Sequence, residues 1–97
     1  MSVTIRIIEV EGKRAIGVKI ELETAPFIMI RADNGVLSCG FMNIEAAERI
    51  GIAAAMVSGV NTFEDVLEAS VKALTTQARK RGIEENMSGR EALLKLL

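Results

Sequence analysis

The chain has 97 residues, 49% of them hydrophobic and only 3% aromatic, and its 12 basic and 13 acidic residues leave a formal net charge of -1. This length and composition point to one domain with one aliphatic core and exclude a disordered chain. The balanced charge gives nucleic acid or an anionic membrane surface nothing to read, and no apolar run approaches the roughly 20 residues that cross a bilayer.

In chain order, Val3 to Val10 alternates Val3, Ile5 and Ile7 with Thr4 and Arg6, the pattern of a half-buried strand. Gly12-Lys13 turns the chain into a second, antiparallel strand, Ala15 to Leu22, with Ile16, Val18, Ile20 and Leu22 expected inward and Gly17, Lys19 and Glu21 outward. A loop through Pro26 leads to a third strand, Phe27 to Ala32. Asn34-Gly35 then reads as a type I′ hairpin turn with positive φ at both positions. That turn sets Ile30 opposite Cys39, Arg31 opposite Ser38 and Met29 opposite Gly40. Ile28, Ile30, Leu37, Cys39 and Phe41 would share the core face, and Phe27, Met29, Arg31, Val36 and Ser38 the other.

Asn43 is a good N-cap for a helix carrying Glu45 in its first turn and stopped by Gly51. Ile52 to Val57 is wholly apolar and short, as suits a strand buried on both faces. Asn61 or Thr62 caps a helix with Phe63, Val66 and Leu67 as its buried stripe, ending near Ala69. Val71 to Thr75 reads as a strand, and Thr76 to Arg81 as a short helix stopped by Gly82. The Arg79-Lys80-Arg81 cluster complements the dipole of that helix end. Ser88 and Glu91 form a capping box opening a last helix that docks through Leu93, Leu94 and Leu97. The fold class is α/β bordering on α+β: a mixed sheet of N-terminal antiparallel hairpins followed by alternating helix and strand, with the helices packed on it.

If the strands ending at Cys39, Val57 and Thr75 run parallel, their carboxyl ends share one sheet edge, where open α/β sheets bind ligands. That edge would gather Cys39, Gly40 and Asn43, then Ser58, Gly59, Asn61 and Thr62, then Thr75 and Thr76, beside three helix N-termini suited to a small anionic ligand. Cys39 is the one candidate nucleophile, set against its expected place on the core face. The chain has no histidine to serve as its base. One cysteine and no histidine also give no metal-ligand spacing and no internal disulfide, and nothing calls for a cofactor. Without the basic and apolar start of a signal peptide, a cytoplasmic location is expected.

The runs CGFMNIEAAERIG from Cys39, AAAMVSGV from Ala53, TFEDVLEA from Thr62 and MSGREALLKL from Met87 resemble the YunC-like proteins, a bacterial and archaeal family of unknown function. The resemblance implies a compact α/β fold and no activity. It departs at Ile52, where an aspartate is expected, which removes acid-base chemistry from that position. Two readings follow, a small-ligand or anion-binding domain and a structural or interaction module acting as a homo-oligomer. The N-terminal strands carry apolar side chains on both faces, so a homodimer formed through them is the expected association.

Overall fold

The computed structural model describes residues 2–97. Its elements are β1 (Val3–Val10), β2 (Lys13–Ile20), β3 (Phe27–Ala32), β4 (Gly35–Ser38), α1 (Ile44–Ile50), β5 (Ala54–Met56), α2 (Phe63–Glu68), β6 (Ala73–Leu74), α3 (Thr76–Lys80) and α4 (Gly89–Leu96). Element types and order are those the periodicity predicts. The strands form one six-stranded mixed sheet in the order β1-β2-β3-β4-β5-β6. Every neighbouring pair is antiparallel except β4 with β5.

The two hairpin turns exchange the roles expected of them. Positive φ falls on Glu11 (50°) and Gly12 (79°), so the β1–β2 turn is the one whose two central residues are left-handed. Neither Asn34 nor Gly35 has positive φ. The β3–β4 turn is Asp33-Asn34, Gly35 opens β4, and Ile30 pairs with Leu37, not Cys39. The cause is tertiary. The Asn34 N–H donates to the Leu96 carbonyl at the end of α4 (2.9 Å), and the Val36 N–H to the Ala53 carbonyl (3.0 Å). A Cβ on Gly35 would collide with the Ala53 carbonyl and come within 2.7 Å of Leu96 Cδ2. Glycine is therefore required for close approach. Because the pairing moves by two positions, each residue keeps its face, and Ile28, Ile30, Leu37 and Cys39 are buried as expected.

Cross-strand register divides the sheet into two faces. The first carries Ile8, Ala15, Gly17, Ile28, Ile30, Leu37 and Ala55 and is covered by α2 and α4. Phe63 of α2 lies against Gly17, and its ring also receives the Arg6 guanidinium at 4.8 Å while Arg6 pairs with Glu64 (2.8 Å). Gly89 lets α4 approach the backbone of α2 at Val66. The inward and outward assignment of β2 is thus reversed: Ala15 and Gly17 are buried, whereas Ile16 is 42% exposed. Small residues face the helices because an aromatic ring and two helix backbones need the room.

On the second face Ser38 and Ala54 are fully buried, although Ser38 was expected on an outward face. Met42 and Ile52, which flank α1, lie beside Met29, Arg31 and Val36 there. The β4–α1–β5 connection therefore crosses this face over the C-terminal strands, leaving β1 and β2 open. The expected strand from Val71 to Thr75 contributes only Ala73 and Leu74, because the Val71 N–H donates to Met87 and Ser70 bridges Ser88.

Gly35→Ala is expected to cost about 1–3 kcal/mol through steric overlap with the Ala53 carbonyl and Leu96. Asn34→Ala, with no left-handed conformation to lose, should change stability by less than about 0.5 kcal/mol. Urea melts of the two variants check this. Equal costs would point back to a left-handed turn at these positions.

Candidate ligand-binding cleft

β4 and β5 run parallel, so their carboxyl ends open on the same side of the sheet, and β3 begins there because it is antiparallel to β4. The loops leaving these three strand ends enclose a cleft of about 330 Å³. It is lined by Ala25 and Pro26 before β3, by Cys39, Gly40 and Phe41 after β4, and by Ser58, Gly59, Val60 and Asn61 after β5. Of the positions expected to gather here, Cys39, Gly40, Ser58, Gly59 and Asn61 do so.

Asn43 and Thr62 do not line the cleft. Each is occupied as an N-cap: Asn43 Oδ1 accepts from the Ala46 N–H (3.0 Å) and Thr62 Oγ1 from the Asp65 N–H (3.0 Å). The Asp65 carboxylate in turn accepts the Asn61 N–H (3.0 Å), which fixes the approach of the chain to α2 with Asn61 at the cleft wall.

Thr75 and Thr76 are elsewhere. β6 is antiparallel to β5, so its carboxyl end lies at the opposite end of the sheet, and the expected third junction is not part of the edge. Thr75 is buried, and its hydroxyl donates to the Ile52 carbonyl (2.7 Å) and accepts from the N–H groups of Ala54 (3.0 Å) and Ala78 (3.3 Å). Glu48 of α1 accepts the Thr76 N–H (2.8 Å), so the start of α3 already holds an internal carboxylate.

Cys39 is buried, as its place on the core face requires. Its N–H donates to the Ile28 carbonyl (3.0 Å) while its own carbonyl turns away to accept the Met42 N–H (3.3 Å). The Ile28 N–H is then left to the thiol sulfur, at 3.4 Å. The side chain acts as the last rung of the β3–β4 ladder and also forms part of the cleft wall.

Phe41, expected in the core, is 57% exposed, and its ring lies 6.0 Å from that of Phe27. Alternation predicts a buried Phe41 only while the strand continues, and β4 ends at Ser38. Pro26 was also missed. Its position follows from the hairpin itself, since the start of β3 must sit beside the end of β4.

No lining residue is a carboxylate, lysine or arginine. Among the described residues, the N–H groups of Gly40, Phe41, Ser58, Gly59 and Val60 donate to no protein acceptor. Gly59 has a φ of 71°, and a Cβ on it or on Gly40 would meet nothing within 4 Å. Two loops of unpaired donors thus flank a largely apolar cleft. Among the described residues, no cluster of three His, Cys, Asp or Glu is placed to hold a metal ion.

A family model described as a domain of unknown function, DUF1805, matches residues 38–96. The chain belongs to the DUF1805 family. The uncharacterized protein YunC of Bacillus subtilis (strain 168) is 34% identical over 94 residues, covering 93% of each chain. Among solved structures, a protein of unknown function from Thermoplasma acidophilum, TA1206, matches with a TM-score of 0.94 at 33% identity, over 99% of this chain and 94% of that one. The DUF1805 match begins at the last residue of β4. It therefore takes in both donor-bearing loops of the cleft, while β1 to β3 precede it.

Two outcomes are expected. Native protein should react slowly with a thiol reagent and unfolded protein rapidly. Cys39→Ala should cost about 1–3 kcal/mol, since it strands the buried Ile28 N–H. Rapid native labelling would contradict the packing of Cys39. The Glu48 carboxyl is held below its ordinary value of 4.5 chiefly by the Thr76 N–H, with Lys80 adding a smaller effect. Its contribution to stability is present above pH 4.5 and is lost as pH falls through the lowered value. The melting-temperature gap between wild type and Glu48→Gln should therefore be open at neutral pH and close in acid.

Proposed function

We propose that the cleft between the β4–α1 and β5–α2 loops binds a small molecule carrying a carboxylate, phosphate or similarly acceptor-rich group. The observation that carries this reading is the set of N–H groups from Gly40, Phe41, Ser58, Gly59 and Val60 that have no acceptor within the described chain. Backbone donors held in consecutive loop positions favour an anion without requiring a positive side chain. The Asn61 amide and Ser58 hydroxyl would supply orientation, and Phe41, Pro26 and Val60 an apolar wall for the rest of the ligand. Supporting it further, the cleft lies at the carboxyl ends of the one parallel strand pair, the place where open α/β sheets commonly hold ligands.

A thermal-shift screen of small carboxylates, phosphates and phosphorylated metabolites against their uncharged analogues tests the proposal, because a ligand specific for the folded state raises its apparent stability. A hit should lose about tenfold or more in affinity on Asn61→Ala, a substitution at an exposed side chain that leaves the fold intact. A hit insensitive to Asn61→Ala and Phe41→Ala, or a panel without any saturable shift, would defeat it.

A further inference from the structure

The charges around the cleft narrow what it can hold. No lining residue carries a cationic side chain, and the charged residues nearest to the lining segments in sequence, Glu21, Glu23, Glu45, Glu64 and Asp65, are all acidic. Asp65 is held at the cleft wall itself, since its carboxylate accepts the Asn61 N–H at 3.0 Å. Arg6, the cation that reaches α2, is committed to Glu64 at 2.8 Å and to the face of the Phe63 ring. An anionic ligand would therefore be held by backbone N–H groups beside a fixed negative charge.

Charge number then decides between acceptor groups. The cost of drying an ion grows with the square of its charge and its repulsion from Asp65 grows in proportion, while neutral N–H donors return less than an arginine fork would. A phosphate monoester carries nearly two charges at neutral pH and meets both penalties in full. A carboxylate carries one charge and still offers two acceptor oxygens to the donors.

The apolar wall selects the rest of the molecule. Phe41 is 57% exposed in a chain with only three phenylalanines, and its ring is set against Phe27 with centroids 6.0 Å apart and planes tilted by 37°. A ring held in place yet left uncovered suits stacking by a second flat ring. Gly40 and Gly59, where a Cβ would meet nothing within 4 Å, leave the backbone donors open to close approach. The cleft volume of about 330 Å³ lies near the lower end of the range for ligand sites and suits one ring with a short acid arm.

We infer that the ligand class of this cleft is a small aryl monocarboxylate, with its acid group on the Gly40 and Gly59 loops and its ring against Phe41. This rests on the anion-binding reading of the cleft and sharpens it, because phosphorylated ligands, which that reading admits, are excluded here.

Amide NMR titrations of the full chain at constant ionic strength test it, with phenylacetate, phenylacetamide, phenyl phosphate and cyclohexylacetate as probes. Phenylacetate should shift the Gly40, Phe41, Ser58, Gly59 and Val60 amides saturably, and phenylacetamide and phenyl phosphate should each bind about tenfold or more weakly. Cyclohexylacetate should bind about threefold more weakly than phenylacetate, and Phe41→Leu, at an exposed site, should stay folded and erase that preference. Phenyl phosphate binding as tightly as phenylacetate would overturn the inference and leave the anion reading standing. So would equal binding of cyclohexylacetate by the wild type, since the ring of Phe41 would then select nothing. Equal binding of phenylacetamide, or no saturable shift with any probe, would overturn the inference and the anion reading together.

Discussion

One strand pair in this sheet is parallel, and the rest of the structure depends on it. A parallel pairing of β4 with β5 cannot be closed by a tight turn, so the chain must leave the sheet, cross one face and return. That crossing carries α1 over the second face and buries Ser38 and Ala54. It also sends both strand ends to the same side, where their loops face each other across the cleft. Had β4 and β5 been antiparallel, the donor-bearing loops at Gly40 and Gly59 would lie at opposite ends of the sheet.

The same crossing explains why the first face carries small residues where the helices come closest. With α1 committed to the second face, α2 and α4 must together seal the first. They do so closely enough that Gly17 meets the Phe63 ring, Gly35 meets Leu96 and Gly89 meets the α2 backbone. Only three phenylalanines are present in the chain, so close packing of backbones against alanine and glycine substitutes for aromatic bulk. Thr75 and Glu48 then tie α3 to β5 and α1 through directed hydrogen bonds, a use of polar groups that leaves no buried side-chain donor or acceptor unpaired among the described residues.

Much of this was legible in the sequence. Caps at Asn43, Thr62 and Ser88 and the stop at Gly51 are local chemistry, and local chemistry placed them correctly. The core face of β3 and β4 was also legible, since a period of two survives an error of two in register. The Asn34-Gly35 turn was misplaced because its geometry is imposed from α4 and β5, which lie far away in sequence. Thr75 was assigned to the wrong end of the sheet for a related reason: alternating helix and strand suggests parallel strands, yet β6 is too short and too loosely tied to require a crossover. Within the cleft, Cys39, Gly40, Ser58, Gly59 and Asn61 on the two parallel-strand loops were found, whereas Phe41 and Val60 on those loops and Ala25 and Pro26 on the β3 side were not.

The β2 assignment shows where sequence pattern stops being informative. Ile16, Val18 and Ile20 alternate with Gly17 and Lys19, and hydrophobicity alone puts the isoleucines inside. Burial instead follows the helices, which select the face that offers room, and Gly17 offers it to Phe63. A strand with large aliphatics on one face and small residues on the other thus has two faces that a helix could cover, and the helices take the one with room. Which of the two is filled within a single chain is decided by the crossover at α1, and that crossover reaches only the strands it connects. The aliphatic rows of β1 and β2 lie beyond its reach, so what is left uncovered is a geometric consequence of having one parallel pair at the far end of the sheet.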